Sequence, residues 1–404
     1  VSRGLFMDLE FHEKLNKHKA DGKSFVTISR RVRINAIIAE YYERLGEEYE
    51  DLLKTRGGIT KEFKPLTSKR AGRLLRCGRF IDTTRFKELG IHKINAIKLC
   101  GDKFCGNCQK RLANERERKY TPLLQELERL FDVYHIVLTV PNVPELFLTK
   151  SVEDIIKAFA KLIKYVKGDK KIRGINFGGF GYVGAFRSLE ITHNVKRDDY
   201  HPHLHCIFVL KKGLNLDQPK VFTNAFSFSN GRRVSQWSAF EVFIQKLWKL
   251  CYSGERVTKS GIDLSDGYSC MVNRANGNYH QIFKYVVKGL LDDKHEQQRR
   301  AKTGRIDNGL TYEEFRALYF ALEGRRAMQA YGCFQGLKLD ETVLTDSDKT
   351  NEEIRAIISE LRKYEPDEFV SEKLATVIEN IVKNHEIYIS AKDLKDDLEG
   401  LKEE

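Results

Sequence analysis

His203-Leu204-His205 is the first feature of this 404-residue sequence that could do chemistry. The run 203–210 is rich in β-branched, aromatic and aliphatic residues, so a strand is expected there. Side chains alternate faces along a strand, so the two imidazoles point one way and Leu204 the other. Imidazoles about 7 Å apart on one strand face can converge on a single metal ion. The preceding expected strand, 181–192, carries Glu190 and Thr192 on one face. A short hairpin through the polar residues 193–202 would set Glu190 beside the histidines. Two imidazoles and a carboxylate leave coordination positions open for a substrate. The plain alternative for a bare His-x-His pair is two satisfied surface histidines. His193 falls on the opposite face from Glu190 and ranks lower as a ligand. His201 shares the parity of His203, but Pro202 interrupts the strand.

Downstream, Tyr285 and Lys288 are three residues apart in an expected helix over 278–291, hence neighbours on one helical face. A phenol suits reversible phosphoryl transfer. Attack on a DNA phosphodiester gives an aryl phosphodiester whose leaving-group pKa is about 10, so a 3′-hydroxyl can reverse the step. A metal at the scissile phosphate neutralises developing charge, and Lys288 can hold a phosphate oxygen or the phenolate as a point charge.

A second cluster is sulfur. Of eight cysteines, Cys77, Cys100, Cys105 and Cys108 fall within 32 residues. In a large chain read as intracellular such a cluster suits a metal better than disulfides. Cys105-x-x-Cys108 is a knuckle for one Zn²⁺, Cys100 adds a third thiolate, and Cys77 is the best fourth ligand, with His92 the runner-up. A closed site of this kind is structural. The other cysteines, 206, 251, 270 and 333, lie in apolar contexts and read as core. Arg73, Arg76 and Arg79 before the knuckle and Lys110 and Arg111 after it are candidates to track a nucleic-acid backbone, although 110–119, with its alternating Glu, also reads as an ordinary solvated helix.

Charge points the same way. Lys and Arg number 70 against 57 Asp and Glu, a net of +13. Residues 339–404 hold nine basic and nineteen acidic residues, leaving the first 338 at +23. Such an excess favours an anionic partner, most simply nucleic-acid phosphate. Hydrophobic residues make up 41% of the chain, which excludes a wholly disordered one. No apolar run approaches the ~20 residues that span a bilayer, and residues 1–4 do not open a leader peptide. The expectation is a soluble, cytoplasmic protein without a membrane partner.

The elements that must position these groups divide the chain into a helical N-terminal region (1–72), a zinc-binding element (73–120), a strand-and-helix domain (121–300) and a helical C-terminal region with an acidic tail (301–404). Helical spacing runs from 32 to 53. Strands are expected at 133–140, 181–192, 203–210 and, weakly, 262–272. Helices are expected at 151–166, with Ser151 and Asp154 as a capping signal, at 235–251, and at 312–328. Two amphipathic stretches, 354–361 and 369–382, close the chain, and their apolar stripe has to be buried, most simply against the protein itself. The order is that of an α+β fold, a split βαβ antiparallel sheet backed by helices.

Four stretches in this order resemble a known family. They are the Cys77-to-Cys108 segment, His135-Ile-Val-Leu-Thr-Val-Pro-Asn142, Tyr200-His-Pro-His-Leu-His-Cys-Ile-Phe-Val209 and Phe283-Lys-Tyr-Val-Val-Lys288. The stretch 325–336 looks similar too. The chain resembles the rolling-circle replication initiators of bacterial plasmids, in the HUH (His-hydrophobic-His) endonuclease superfamily. That resemblance implies an HUH nuclease domain in which His203, His205 and Glu190 hold Mg²⁺ or Mn²⁺, Tyr285 nicks one strand at a plasmid origin through a 5′-phosphotyrosine link, and Lys288 assists. It also implies a host helicase as partner and admits a homo-oligomer. Members with one nicking Tyr usually carry a Glu four residues before it. Here that position is Gln281, and an amide cannot act as a general base; another acid, a water oriented by Gln281, or Tyr279 would have to serve. A relaxase or single-strand transposase shares the chemistry, but relaxases usually place the nucleophile near the N-terminus. A non-enzymatic zinc-containing DNA-binding protein is the remaining alternative.

Overall fold

The computed structural model describes residues 22–56, 59–194, 196–228, 231–277, 279, 282–283, 310–336, 368–382 and 387–390. The chain divides into two compact units, the first holding residues 1–115, 289–312 and 340–404, the second 116–288 and 313–339.

The second unit is built on a five-stranded sheet. Its strands are β5 (Asp132–Thr139), β6 (Gly184–Asn194), β7 (Asp199–Leu210), β10 (Cys270–Arg274) and β11 (Met328–Gly332), in the order β10-β5-β7-β6-β11. Every neighbouring pair is antiparallel. β5 and β6 therefore run parallel to each other with β7 between them, and helix α4 (Glu145–Val166) connects them. The apolar positions of α4, including Ile155, Phe159 and Leu162, are fully buried, and the Phe159 ring meets that of Phe208 edge-on at 6.0 Å. Helix α5 (Ala239–Tyr252) starts at Ser238, whose side chain accepts from the Glu241 amide while Glu241 accepts from the Ser238 amide, a reciprocal cap. Its Trp248 indole donates to the Thr139 carbonyl at 2.7 Å.

The opposite sheet face is covered at one end by residues 116–130 of α3 (Gly106–Leu130) and by the segment leading to residue 283. There Leu124, Val133, Phe186, Ile207, Val209, Tyr279, Ile282, Phe283 and Phe334 form one apolar cluster. Two short strands, β8 (Phe222–Phe228) and β9 (Gly231–Trp237), pair only with each other among the described residues.

The first unit has helix α1 (Gly22–Glu48), a hairpin of β1 (Leu53–Arg56) and β2 (Ile59–Glu62), helix α2 (Phe63–Arg76), and a four-stranded sheet. The sheet order is β12-β3-β4-β13, from β12 (Glu368–Lys373), β3 (Phe80–Phe86), β4 (Ile91–Ile97) and β13 (Ile387–Ser390). Its core joins Ile28, Ile81, Ile94, Leu374, Val377 and Tyr388. The apolar stripe of α8 (Leu374–Val382) is thus buried against its own chain.

Several elements differ from the sequence reading. The weak strand over 262–272 is a short helix, α6 (Lys259–Leu264), followed by β10: Thr258 caps the helix by accepting from the Gly261 amide, and Gly267 turns the chain at φ +77°. The helix over 312–328 is α7 (Tyr312–Leu322) followed by β11, because Gly324 at φ +69° ends the helix and the free edge of β6 supplies partners for a strand. The stretch 369–382 begins as β12, since the edge of β3 satisfies its backbone, and becomes helical only at Leu374. Helix α4 starts six residues before Ser151, after Pro144, so Ser151 is no cap and instead meets the Tyr252 hydroxyl at 2.9 Å. The hairpins β1–β2 and β8–β9 had no expected counterpart. The amphipathic stretch 354–361 and most of the helix over 278–291 lie outside the described residues. No helix among those described is long and apolar enough to cross a membrane.

Candidate functional site

Strand register assembles the site. Across the β6–β7 ladder Glu190 faces His203 and Ser188 faces His205, while on the other side of β7, Thr139 and Val137 of β5 face the same two histidines. Paired residues share a sheet face, so Glu190, His203 and His205 project together. Glu190 Oε1 is 3.5 Å from His203 Nε2, and Glu190 Oε2 is 3.2 Å from His205 Nε2. Their ligand atoms all lie within 4.8 Å of one another. Donors about 2.0–2.2 Å from a shared ion stand roughly 3.0–3.5 Å apart, so the carboxylate–imidazole spacings fit one cation. Glu190 is 5% and His203 8% exposed, so the donors reach the face with little competition from bulk water.

Hydrogen bonds orient both rings. His203 Nδ1–H donates to the His201 carbonyl at 3.1 Å, leaving Nε2 as the lone-pair nitrogen toward Glu190. His205 Nδ1 is 3.1 Å from His135 Nε2, and the two rings stack with centroids 5.3 Å apart. Burial, with a smaller contribution from His205, lowers the His135 pKa to about 4. A neutral His135 can accept at Nε2 the proton on His205 Nδ1, the tautomer in which His205 Nε2 is left free to face Glu190. The sequence alone gives His135 no role. Its odd-numbered place on β5 matches that of Thr139, but only the pairing with β7 reveals its contact.

His201 Nδ1 meets Asn142 Oδ1 at 2.8 Å, and the Asn142 amide donates to Asp199 Oδ1 at 2.8 Å. Its ring stacks on His203, centroids 5.0 Å apart. His193 turns elsewhere: it bonds Glu314 and Asp198 and stacks on Tyr200. Burial opposes its protonation, but the bond to Glu314 and the nearby acids outweigh it and raise its pKa.

Tyr285, Lys288 and Gln281 lie outside the described residues. Ile282 and Phe283 are described. Phe283 is 1% exposed and stacks on Phe186 at 5.7 Å and on Tyr120 at 5.9 Å. Phe186 is four residues before Glu190 on β6, an even spacing that puts both on one face. Tyr279, also buried, has its phenol pKa pushed above the ordinary value by burial and then by Glu128.

In the first unit Cys77, Cys100, Cys105 and Cys108 converge, all four buried. Sulfurs are 3.4 Å apart for 77–105, 3.7 Å for 77–108 and 3.6 Å for 100–108. These are too long for disulfides and near the ~3.8 Å edge of a tetrahedron with metal–sulfur bonds of about 2.3 Å. Cys77 follows α2, where Gly78 at φ +72° turns the chain; Cys100 follows β4; Cys105 immediately precedes α3 and Cys108 lies in its first turn. The Gly101 amide donates to Cys108 Sγ at 3.1 Å and the Asn35 side chain to Cys105 Sγ at 3.2 Å. Hydrogen bonds with Cys100, Cys105 and Cys77 pull the Cys108 pKa down, whereas burial pushes that of Cys105 well up. Four thiolates so close need a cation to coexist. His92, the alternative fourth ligand, stacks on Tyr388 at 4.3 Å and faces Glu372 instead.

Among the basic candidates, Arg73, Arg76 and Arg79 are exposed. Arg73 donates to the Cys100 carbonyl, and Arg111 pairs with Glu115 at 2.8 Å. Lys110 is half-buried on α3.

Residues 91–220 match the model of a family described as replication protein. The chain is 28% identical over 170 residues to a protein rep of Bacillus amyloliquefaciens, covering 42% of this chain and 45% of that one. It is 31% identical over 144 residues to a protein rep of Staphylococcus aureus, covering 35% and 58%. For one from Streptococcus pneumoniae serotype 2 the identity is 28% over 144 residues, covering 33% and 40%. The chain thus spans about half the length of these relatives. No solved structure matches it.

Proposed function

With residues 91–220 matched to the replication-protein family, we propose that this chain is a rolling-circle plasmid replication initiator that nicks and rejoins one DNA strand. The observation that carries the reading is the convergence of Glu190, His203 and His205 inside the matched segment, on the sheet face that also holds Phe283. The parallel β5 and β6 flanking β7, with α4 between, are consistent with the split βαβ of an HUH nuclease.

In this reading Glu190, His203 and His205 hold Mg²⁺ or Mn²⁺, an oxygen–nitrogen donor set that suits Mn²⁺ and accepts Mg²⁺. The bound ion supplies charge neutralisation at the scissile phosphate. The Tyr285 oxygen forms the bond to the 5′ phosphate as the bond to the 3′-oxygen of the preceding nucleotide breaks; the phenol gives its proton to solvent and the departing 3′-oxygen takes one up, leaving as a hydroxyl. Lys288 stabilises the phenolate or a phosphate oxygen. Two residues of chain, a reach of about 7 Å, separate Tyr285 from Phe283. Gln281 takes no proton, so it can orient a water but not deprotonate one. The four cysteines hold a structural Zn²⁺. Arg73, Arg76, Arg79, Lys110 and Arg111 track the DNA backbone, and a helicase unwinds the duplex after the nick. The setting is the bacterial cytoplasm.

The test is a labelled single-stranded origin oligonucleotide incubated with the full chain and Mn²⁺. A covalent adduct forms and Tyr285→Phe abolishes it; normal nicking by that variant removes Tyr285 as nucleophile, and no adduct from the unmodified chain favours the non-enzymatic reading. Gln281→Glu in a nicking-and-joining assay is expected to speed termination.

A further inference from the structure

The first unit contains a cavity of about 370 Å³ directly above the cysteine cluster. Its size falls in the roughly 300–1,000 Å³ range of small-ligand sites. Cys77, Leu99 and Cys100 are among its lining residues, so a metal held by the thiolates would keep that part of the lining rigid. Phe80, Arg73, Arg76, Lys98 and Ser371 complete the lining. Three features set this cavity apart from an ordinary surface dent. Phe80 is half-buried, and its ring contacts no other aromatic ring among the described residues. The Arg76 guanidinium has no partner among the described residues. The Lys98 ammonium lies over the Phe80 ring, 6.0 Å from its centre, so a cation and an aromatic ring share one space.

We propose that this cavity binds one unpaired nucleotide of single-stranded DNA, the base on Phe80 and the phosphate among Arg73, Arg76 and Lys98. The proposal rests on the nucleic-acid reading above and adds a site that the nicking chemistry does not require. Stacking on an aromatic side chain together with backbone charge is how unpaired strands are held. Arg73 is oriented by its bond to the Cys100 carbonyl and keeps further N–H donors for a phosphate. Among the described residues, the acid paired with these cations is Asp82, 3.4 Å from Lys98, whose ammonium also meets Ser371 Oγ at 3.2 Å. A paired base cannot stack on Phe80 without leaving its helix, so the cavity selects single strands.

The full chain is mixed, in divalent-free buffer, with an oligonucleotide carrying 5-iododeoxyuridine, irradiated, and mapped by mass spectrometry. An adduct at Phe80 is expected, absent in Phe80→Leu. Arg76→Ala and Lys98→Gln should each weaken single-strand binding severalfold and lower the salt slope by about one. Adducts that all map outside residues 73–100, or an equal Phe80 adduct from a blunt duplex, overturn the proposal. Nicking is read separately: loss of the adduct with nicking retained removes the cavity alone, and an adduct without nicking removes only the nicking reading.

Discussion

Phe283 stacks on Phe186 with ring centroids 5.7 Å apart and planes 25° from parallel. Four residues beyond Phe186 on the same strand is Glu190, and two beyond Phe283 is Tyr285. One aromatic contact thus ties the chain carrying the proposed nucleophile to the strand carrying the proposed carboxylate ligand.

Phe283→Ala is expected to destabilise the protein by about 3–5 kcal/mol and to reduce covalent adduct formation beyond what unfolding explains. Phe159→Ala, equally buried against Phe208 under α4, is the control. Comparing adduct yield per folded molecule separates the two; equal yields mean that Phe283 does no more than pack.

His135 is expected to matter through His205. Removing the imidazole in His135→Ala frees the His205 ring to rotate, and losing such an outer partner typically lowers metal affinity 10–100-fold. Mn²⁺ titration followed by electron paramagnetic resonance reads this directly, and His135→Gln should recover part of the loss. An unchanged affinity in His135→Ala would show that His205 is oriented by the strand alone.

Cys108→Ser should remove one equivalent of zinc, measured by elemental analysis, and lower the thermal stability of the purified chain. Cys251→Ser, in the apolar interior of the second unit, should keep the zinc. Full zinc retention by Cys108→Ser would rule that sulfur out of the ligand set.

Acid should loosen the first unit through Glu372. Burial works against its ionisation, but bonds with His92, Thr83 and Arg85 outweigh this and hold its pKa at about 2, against an ordinary 4.5. A folded-state pKa below the unfolded value contributes stability above pH ~4.5 that is lost as pH falls toward 2. Amide exchange of β12 and β3 should therefore rise across that window, and Glu372→Gln should flatten the response. An identical profile in the variant would place the acid sensitivity elsewhere.

Much of the candidate site was legible because strand periodicity is local. The alternation that sends His203 and His205 one way and Leu204 the other holds for any strand, and Leu204 is indeed fully buried. The same parity set Glu190 toward the histidines and His193 away from them. The cysteine knuckle was legible from spacing. Elements whose state depends on a distant edge were not: β12 reads as helix because its apolar residues fit that period, the expected helix over 312–328 runs on to the first residue of β11, and only the open edges of β3 and β6 make these strands.

The amino-acid order by itself determined which side chains share a face and which thiols lie close together, since backbone geometry imposes both within a few residues. Tertiary structure alone decided that Glu190 stands opposite His203 rather than one residue along, that His135, 70 positions before His205, orients its ring, and that His92 serves Glu372 while Cys77 joins the thiol cluster. Those outcomes depend on strand register and on the pairing of remote edges, where unsatisfied backbone groups and exposed apolar faces find partners that no local stretch of sequence contains.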